Sequence, residues 1–356
     1  MLTTRRRIAT AAAAALTTSL AACGGGSSTS GAPDETLAIT MWGGTAQTAH
    51  VDSYFTPWAE ANGVSIQQDS PTDYAKIKAQ VEAGKVSWGV VEVEPNYANT
   101  ACAEGLLEKL PASVTDAATE AGVDPAQIGE CGIPNLQYAF NIAYNTDTFP
   151  DEHPTTWAEF FDTEAFPGNR GFWKYATGGI FEAALLADGV APDELYPLDL
   201  DRAFAKLDTI KSDIVFYDTG DQQAQLVASG EAPLVQAWNG RISQAAQAGQ
   251  PVANEWGEHF VSYDRLVVLK GYENAELAME WMTWFLENPW AQADDAVASA
   301  YAPVVPAALD LVPEDARKEL PGYPANAALS AGGIDYGYWA ENYNEVTERF
   351  NAWILG

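Results

Sequence analysis

An α/β fold divided between two domains is the architecture the sequence predicts, on three observations. Short β-branched runs alternate with segments of helical periodicity from Leu37 onward, an order that gives a largely parallel sheet covered by helices. No repeat of fixed period replaces that order, so a solenoid is not expected. The chain left after its leader is about 330 residues, more than one hydrophobic core usually serves.

The leader comes first. Arg5, Arg6 and Arg7 precede an Ala-rich apolar stretch over 8–22 that ends in small residues, the pattern of a signal peptide. At about 15 residues it is short of the roughly 20 that a permanent membrane span needs. Leu20-Ala21-Ala22-Cys23 resembles the bacterial lipobox, in which the cysteine is acylated and becomes the new N-terminus. The Gly/Ser run that follows has no apolar surface to bury and serves as a tether. Residues 1–22 thus read as signal peptide and 23–35 as lipidated tether. The body is expected outside the cell's interior, lipid-anchored on the outer face of the cytoplasmic membrane, at the cell surface or in a periplasm. The three arginines fit a general or a twin-arginine signal.

Within the body, residues 37–41 form the first expected strand. A helix follows Gly44, with Tyr54, Phe55, Trp58 and Ala59 at helical spacing and Gly63 closing it. Residues 64–66 read as a strand, 73–83 as a helix and 86–93 as a third strand. A second set opens at 138–144, where Tyr-Ala-Phe-Asn-Ile-Ala-Tyr has the length and residue types of a strand crossing between lobes. Thr155 or Thr156 caps the helix carrying Trp157, Phe160 and Phe161. Strands at 171–175, 214–217 and 234–238 follow, with helices between them. Residues 266–269 form a buried strand leading to a Trp-rich helix over 274–286. Trp339, Tyr343, Phe350 and Trp353 recur at helical spacing in a terminal helix.

Charge and chemistry narrow the function. The chain has 18 basic and 49 acidic residues and a formal charge of −31; without the leader 15 basic residues remain. Such a body repels nucleic acid and favours cationic solutes at long range, although surface carboxylates also serve solubility alone. With Cys23 committed to lipid, Cys102 and Cys131 are left, an even pair in an exported chain: one disulfide, or two buried thiols. His50, His153 and His259 are spaced too far apart for a familiar metal motif, and the sequence has no Gly-x-Ser-x-Gly elbow and no phosphate-binding Gly-Lys-Ser/Thr loop. No catalysis, cofactor or resident metal is expected; a carboxylate-based hydrolase is the remaining enzymatic alternative.

Seven motifs then stand in a telling order: Trp42-Gly43-Gly44 after the first strand, Glu94-Pro95-Asn96-Tyr97 after the third, Ala103-Glu104-Gly105-Leu106-Leu107, Ile142-Ala143-Tyr144-Asn145-Thr146, Thr156-Trp157-Ala158-Glu159-Phe160-Phe161, Phe166-Pro167-Gly168-Asn169-Arg170-Gly171 and Trp238-Asn239-Gly240-Arg241. In that order they resemble the spermidine/putrescine-type family of ABC solute-binding proteins over nearly the whole mature chain. The resemblance implies a two-lobed, type II-like periplasmic-binding-protein fold that closes by hinge motion over a ligand cleft. It implies lobe 1 from 36–142 plus 264–303, lobe 2 from 143–263 plus 304–335, and a C-terminal helix over 336–356. The implied partners are a small solute, a permease and its ATPase subunits, served by a monomer.

The same resemblance implies the site. An amine in a dry cleft must be paired, because an uncompensated buried charge costs several kcal/mol. Asp264 matches the position where polyamine binders place an amine-binding carboxylate; otherwise it pairs with Arg265 or caps a turn. Trp42, Tyr97, Trp238 and Tyr301 stand where the family builds aromatic walls around a cation, although each is equally a core residue. Gly43, Glu94, Asn96, Thr177 and Tyr336 complete the expected ligand-binding set. Two departures bear on specificity. Ala176-Thr177-Gly178-Gly179 lacks the acidic residues that polyamine binders carry there, and Gly178 and Gly179 open a helix whose N–H groups suit an anion. Arg241 adds a guanidinium suited to a carboxylate, unless it is spent on an exposed or lobe-bridging salt bridge. The expected ligand is a polyamine or an amino-acid-like zwitterion such as a γ-amino acid or an opine. The alternatives are a ferric-iron or other metal receptor using Tyr301, Tyr336 and Tyr338, and a passive surface lipoprotein.

Overall fold

The computed structural model describes residues 35–356; the leader, Cys23 and nearly all of the tether lie outside the described residues. Eight main strands appear in chain order: β1 (Glu35–Thr40), β2 (Val64–Asp69), β3 (Val90–Val93), β4 (Gly132–Asn145), β5 (Arg170–Trp173), β6 (Ile214–Tyr217), β7 (Leu234–Trp238) and β8 (Val252–Val268). They lie side by side in the order β2-β1-β3-β8-β4-β7-β5-β6. β1 pairs in parallel with β2 and β3, and β5 in parallel with β6 and β7, as helix-linked strands do.

The centre departs from the largely parallel sheet expected. β3 with β8, β8 with β4 and β4 with β7 are all antiparallel. The cause is the length of two strands, 14 residues in β4 and 17 in β8, which cross from one half of the molecule to the other against each other. Residues 138–144 are the heart of β4, as their length and composition suggested. The short buried strand foreseen at 266–269 is only the end of β8, whose earlier residues alternate half-buried and buried and so lacked a continuous apolar signal. The third strand is shorter than expected, starting at Val90.

Each half is a sheet with an apolar core on both faces, and the period-two alternation of side chains separates them. In the first half Val90, Leu266 and Val268 join Leu37, Phe55, Trp281 and Phe285 on one face, while Val91, Val93, Val267 and Leu269 face Ile77 and Trp88 on the other. In the second half Leu234, Phe172 and Ile142 pack with Trp157, Phe181 and Trp339, while Val235, Ala237 and Ala143 pack with Trp173, Tyr217 and Ile242. Two lobes result, bridged by β4 and β8. Val304, Val305, Ala308, Val312 and Leu320 belong to the first core. The segment 304–320, expected in the second lobe, therefore packs on the first because its apolar side chains fit the Trp281 cluster. The terminal helix Tyr336–Leu355 rests on the second core through Trp339, Val346 and Phe350.

Local signals hold where capping chemistry is strong. Gly63 ends its helix at φ 66°, Asp73 accepts from the Lys76 N–H, and Thr156 rather than Thr155 accepts from the Glu159 N–H. Cys102 and Cys131 are joined by a disulfide that ties the helix Pro95–Ala103 to the start of β4. Among the described residues no helix is long and apolar enough to cross a membrane.

Candidate functional site

Between the lobes, beyond the carboxyl ends of β1, β3, β5 and β7, lies a cavity lined by side chains of both halves. Open α/β sheets present such crevices where loops leave their strands. Trp42 and Gly43 follow β1, Glu92 and Glu94 close β3, Trp173 closes β5, Trp238 closes β7, and Asp264 projects from β8. Gly43 and Gly44 take φ of 82° and 67°, which lets the chain turn from β1 into the helix Gly44–His50. The left-handed φ at both positions favours glycine there.

Three carboxylates converge on the cavity. Asp264, 4% exposed, accepts from the Trp42 indole Nε1–H at 2.8 Å and from the Tyr138 hydroxyl at 3.3 Å. Burial, reinforced by the charges of Glu92 and Glu94, holds its carboxyl well above the usual carboxylate range. Glu94 accepts from Tyr74 and Thr177 hydroxyls at 3.1 and 3.2 Å, and burial pushes it up to about 7. Glu92 accepts from Asn135 Nδ2 at 2.7 Å; burial raises it, with His50 the leading counterweight. Asp264 does not pair with Arg265, which points to the opposite face of β8 and donates to Asn99 Oδ1 and the Gln127 carbonyl.

One guanidinium faces them. Arg241, 5% exposed, donates from Nη2 to the Gly43 carbonyl at 2.9 Å, and its Nη1 stands 3.5 Å from Asp221, whose side chain is 57% exposed. Nε and Nη1 have no hydrogen-bond partner. Arg241 thus links the lobes by its hydrogen bond to Gly43, its ion pair with Asp221 stays within the second lobe, and Nε is left without a partner. Buried donors left unmade cost about 1–3 kcal/mol each, so the position calls for an acceptor. Aromatic rings wall the space: Trp42 meets Trp173 edge-on at 6.2 Å, Trp173 meets Trp238 at 5.0 Å, and Tyr138 meets Tyr301 at 6.0 Å.

Of the expected residues, Trp42, Gly43, Glu94, Trp238, Arg241, Asp264 and Tyr301 line this cavity. Thr177 reaches it through its bond to Glu94. Asn96 and Tyr97 face an adjacent recess instead, where Tyr97 stacks on Tyr74 at 3.8 Å beside Tyr343. Tyr336 binds Ser262 by its hydroxyl, near enough to Glu94 and Asp264 for their charge to help raise its phenol after burial. Tyr338 meets Tyr196 at 5.4 Å, away from Tyr301. Gly179 is not a cavity residue; a Cβ there would contact Gln236, Phe260 and Phe140 of the second lobe. The sequence reading missed Glu92, Tyr138, Trp173 and His50. Glu92 was the visible one, a lone carboxylate inside the apolar run Val90-Val91-Glu92-Val93.

The sequence profile described as Bacterial extracellular solute-binding protein matches residues 53–327. The chain is 35% identical over 329 residues to the gamma-aminobutyric acid-binding protein of Pseudomonas aeruginosa, which covers 90% of this chain and 92% of that one. A solved GABA receptor matches at 43% identity and TM-score 0.80 over 90% of this chain and 98% of its own. An Agrobacterium tumefaciens binding protein in complex with agropinic acid matches at 34% identity and TM-score 0.82, over 91% and 99%. These neighbours have the two-lobed periplasmic-binding-protein fold. The spermidine/putrescine-binding periplasmic protein 1 of Haemophilus influenzae is more distant, 26% identical over 62% of this chain and 61% of its own. The polyamine branch to which the motifs pointed is therefore a remote relation.

Proposed function

This chain belongs to the bacterial extracellular solute-binding protein family, and from that premise we propose that it captures a γ-amino acid, γ-aminobutyrate foremost, between its lobes and delivers it to an ABC permease and its ATPases. Proteins of this family work outside the cytoplasm. Lipid anchoring through Cys23 and a monomeric state complete the proposal.

The observation that carries the ligand assignment is the presence of unlike charges, on buried side chains, around one cavity. Asp264, with Glu94 and Glu92 behind it, offers a site for an ammonium, and indole and phenol faces add about 0.5–2 kcal/mol each once water is excluded. Arg241 offers a buried guanidinium to a carboxylate, its Nε without a hydrogen bond and its Nη1 held only by the exposed Asp221 at 3.5 Å. A diamine would satisfy the carboxylates and leave the guanidinium unmet. The gamma-aminobutyric acid-binding relative and the agropinic acid complex lie in the same chemical direction.

Calorimetry and thermal shift with γ-aminobutyrate, agropinic acid, glutamate, putrescine and spermidine test this reading. Free ligand at 100 times Kd adds about 2.7 kcal/mol to stability, a shift of several degrees. γ-Aminobutyrate is expected to give the largest shift. A larger shift with putrescine would transfer the assignment to diamines, for which the three carboxylates are the supporting feature. Metabolic palmitate labelling of the wild type, lost in Cys23→Ala, checks the anchor.

A further inference from the structure

His50 closes the helix Gly44–His50 and lines the cavity, yet the capture of an amine and an acid has so far left it without a part. Its side chain is 2% exposed. Nδ1 stands 2.6 Å from Asp295 Oδ1, and Asp295 is itself fixed by the Ser299 hydroxyl, which donates to Oδ2 at 3.1 Å. The ring stacks on Tyr54 at 5.5 Å and 15°, with Tyr301 at 6.4 Å on another side. One ring nitrogen is thus committed, the plane is clamped, and Nε2 is the ring's remaining polar atom, with no hydrogen bond among the described residues. A carboxylate that accepts from one nitrogen of an imidazole fixes a proton on that nitrogen, so the other nitrogen carries a proton when the ring is charged.

We propose that His50 is a second donor for the acid end of the ligand, its Nε2–H acting beside Arg241, and that Asp295 is the residue that positions it. The inference rests on capture of an amino acid and adds the group that makes the acid end specific. A guanidinium already held by Gly43 offers a carboxylate only part of its fork; a second donor from the first lobe completes the recognition and draws the lobes onto the same anion. The charged groups that face the imidazole are Asp295 from the helix Pro289–Ser299, Glu92 from β3 and Arg241 from the helix Asn239–Gln247. Burial disfavours the charged ring and Arg241 adds to that, but the Coulombic pull and hydrogen bond of Asp295, with Glu92, outweigh them and raise His50 above its ordinary value. That balance favours the charged ring, the form in which Nε2 carries the proton it would donate.

Three histidines make the test direct. In protein labelled with ¹⁵N-histidine, saturating γ-aminobutyrate is expected to shift the Nε2 resonance of His50 and raise its titration midpoint. 4-Aminobutanol, which keeps the amine and replaces the acid by a hydroxyl, is expected to leave that midpoint where it was. His50→Gln, whose amide retains one donor for Asp295, is expected to weaken γ-aminobutyrate about ten-fold and 4-aminobutanol less than two-fold. Equal weakening of both ligands, or an Nε2 resonance unmoved by γ-aminobutyrate, overturns the proposal while leaving capture standing. Failure of the wild type to bind γ-aminobutyrate would instead remove the capture reading and this inference with it. Should His50→Gln not fold, the resonance measurement on the wild type decides alone.

Discussion

Trp42 and Asp264 are 222 residues apart in the chain, and the indole N–H of the first donates to a carboxylate oxygen of the second at 2.8 Å. The bond is neutral on the donor side. It orients Asp264 without supplying a countercharge, so burial favours the protonated carboxyl until a cation arrives.

Asp264→Asn is therefore expected to lower affinity for γ-aminobutyrate by at least about 100-fold, the equivalent of roughly 3 kcal/mol for a buried charge left without its partner. The unliganded variant should melt no lower than the wild type, because the cost of burying an unpaired carboxylate disappears. Calorimetry and thermal melts on the same samples check both halves.

Acidity should act on stability and binding in opposite senses. Glu94 lies up at about 7 and Asp264 well above the ordinary carboxylate value in the folded protein, whereas in the unfolded chain both ionise near pH 4. Between about pH 4 and 7 the unfolded chain has thus lost protons that the folded one keeps, and the contribution of these groups to stability falls as pH rises. An ammonium in the cavity favours the ionised forms, so binding should strengthen across that window and release protons. Calorimetry at pH 6 in two buffers of unlike ionisation enthalpy measures the release, and Glu94→Gln should reduce it.

Gly220 stands where a Cβ would lie 2.5 Å from Arg241 Nε. Gly220→Ala is expected to displace the guanidinium and weaken acid-bearing ligands about ten-fold, with 4-aminobutanol little affected. Arg241→Gln should do the same more strongly, on the order of 100-fold. If both variants bind γ-aminobutyrate as the wild type does, Arg241 serves the lobe bridge only.

The disulfide between Cys102 and Cys131 has a sequence separation of 29 residues and lies away from the cavity. Replacing both cysteines by alanine should cost about 3–4 kcal/mol on loop-closure grounds and lower Tm by on the order of 5 °C. Affinity for γ-aminobutyrate should not change, which calorimetry at 25 °C checks.

What could be read from the chain alone divides along a physical line. Capping signals depend on neighbours a few residues away, so Gly63, Asp73 and the helix over 336–355 were legible. Cavity residues at motif loops, such as Trp42, Glu94 and Arg241, were legible through the family order of those loops. Tyr138 and Trp173 were not, because a strand aromatic that faces a cavity and one that faces a core obey the same periodicity. Asn96 and Tyr97 share a motif with Glu94, yet the helix that begins at Pro95 turns them toward the adjacent recess. His50 gave no sign at all: its partner Asp295 is 245 residues distant, and only the fold brings them together.

β4 and β8 run through both lobes as one hydrogen-bonded ribbon whose register slips twice, between Pro134 and Leu136 and between Phe140 and Ile142. Irregularities of this kind concentrate bend and twist at a few residues. The connection between the lobes is accordingly a strip of paired backbone and not a loose connector, which restricts the directions in which one lobe can turn against the other.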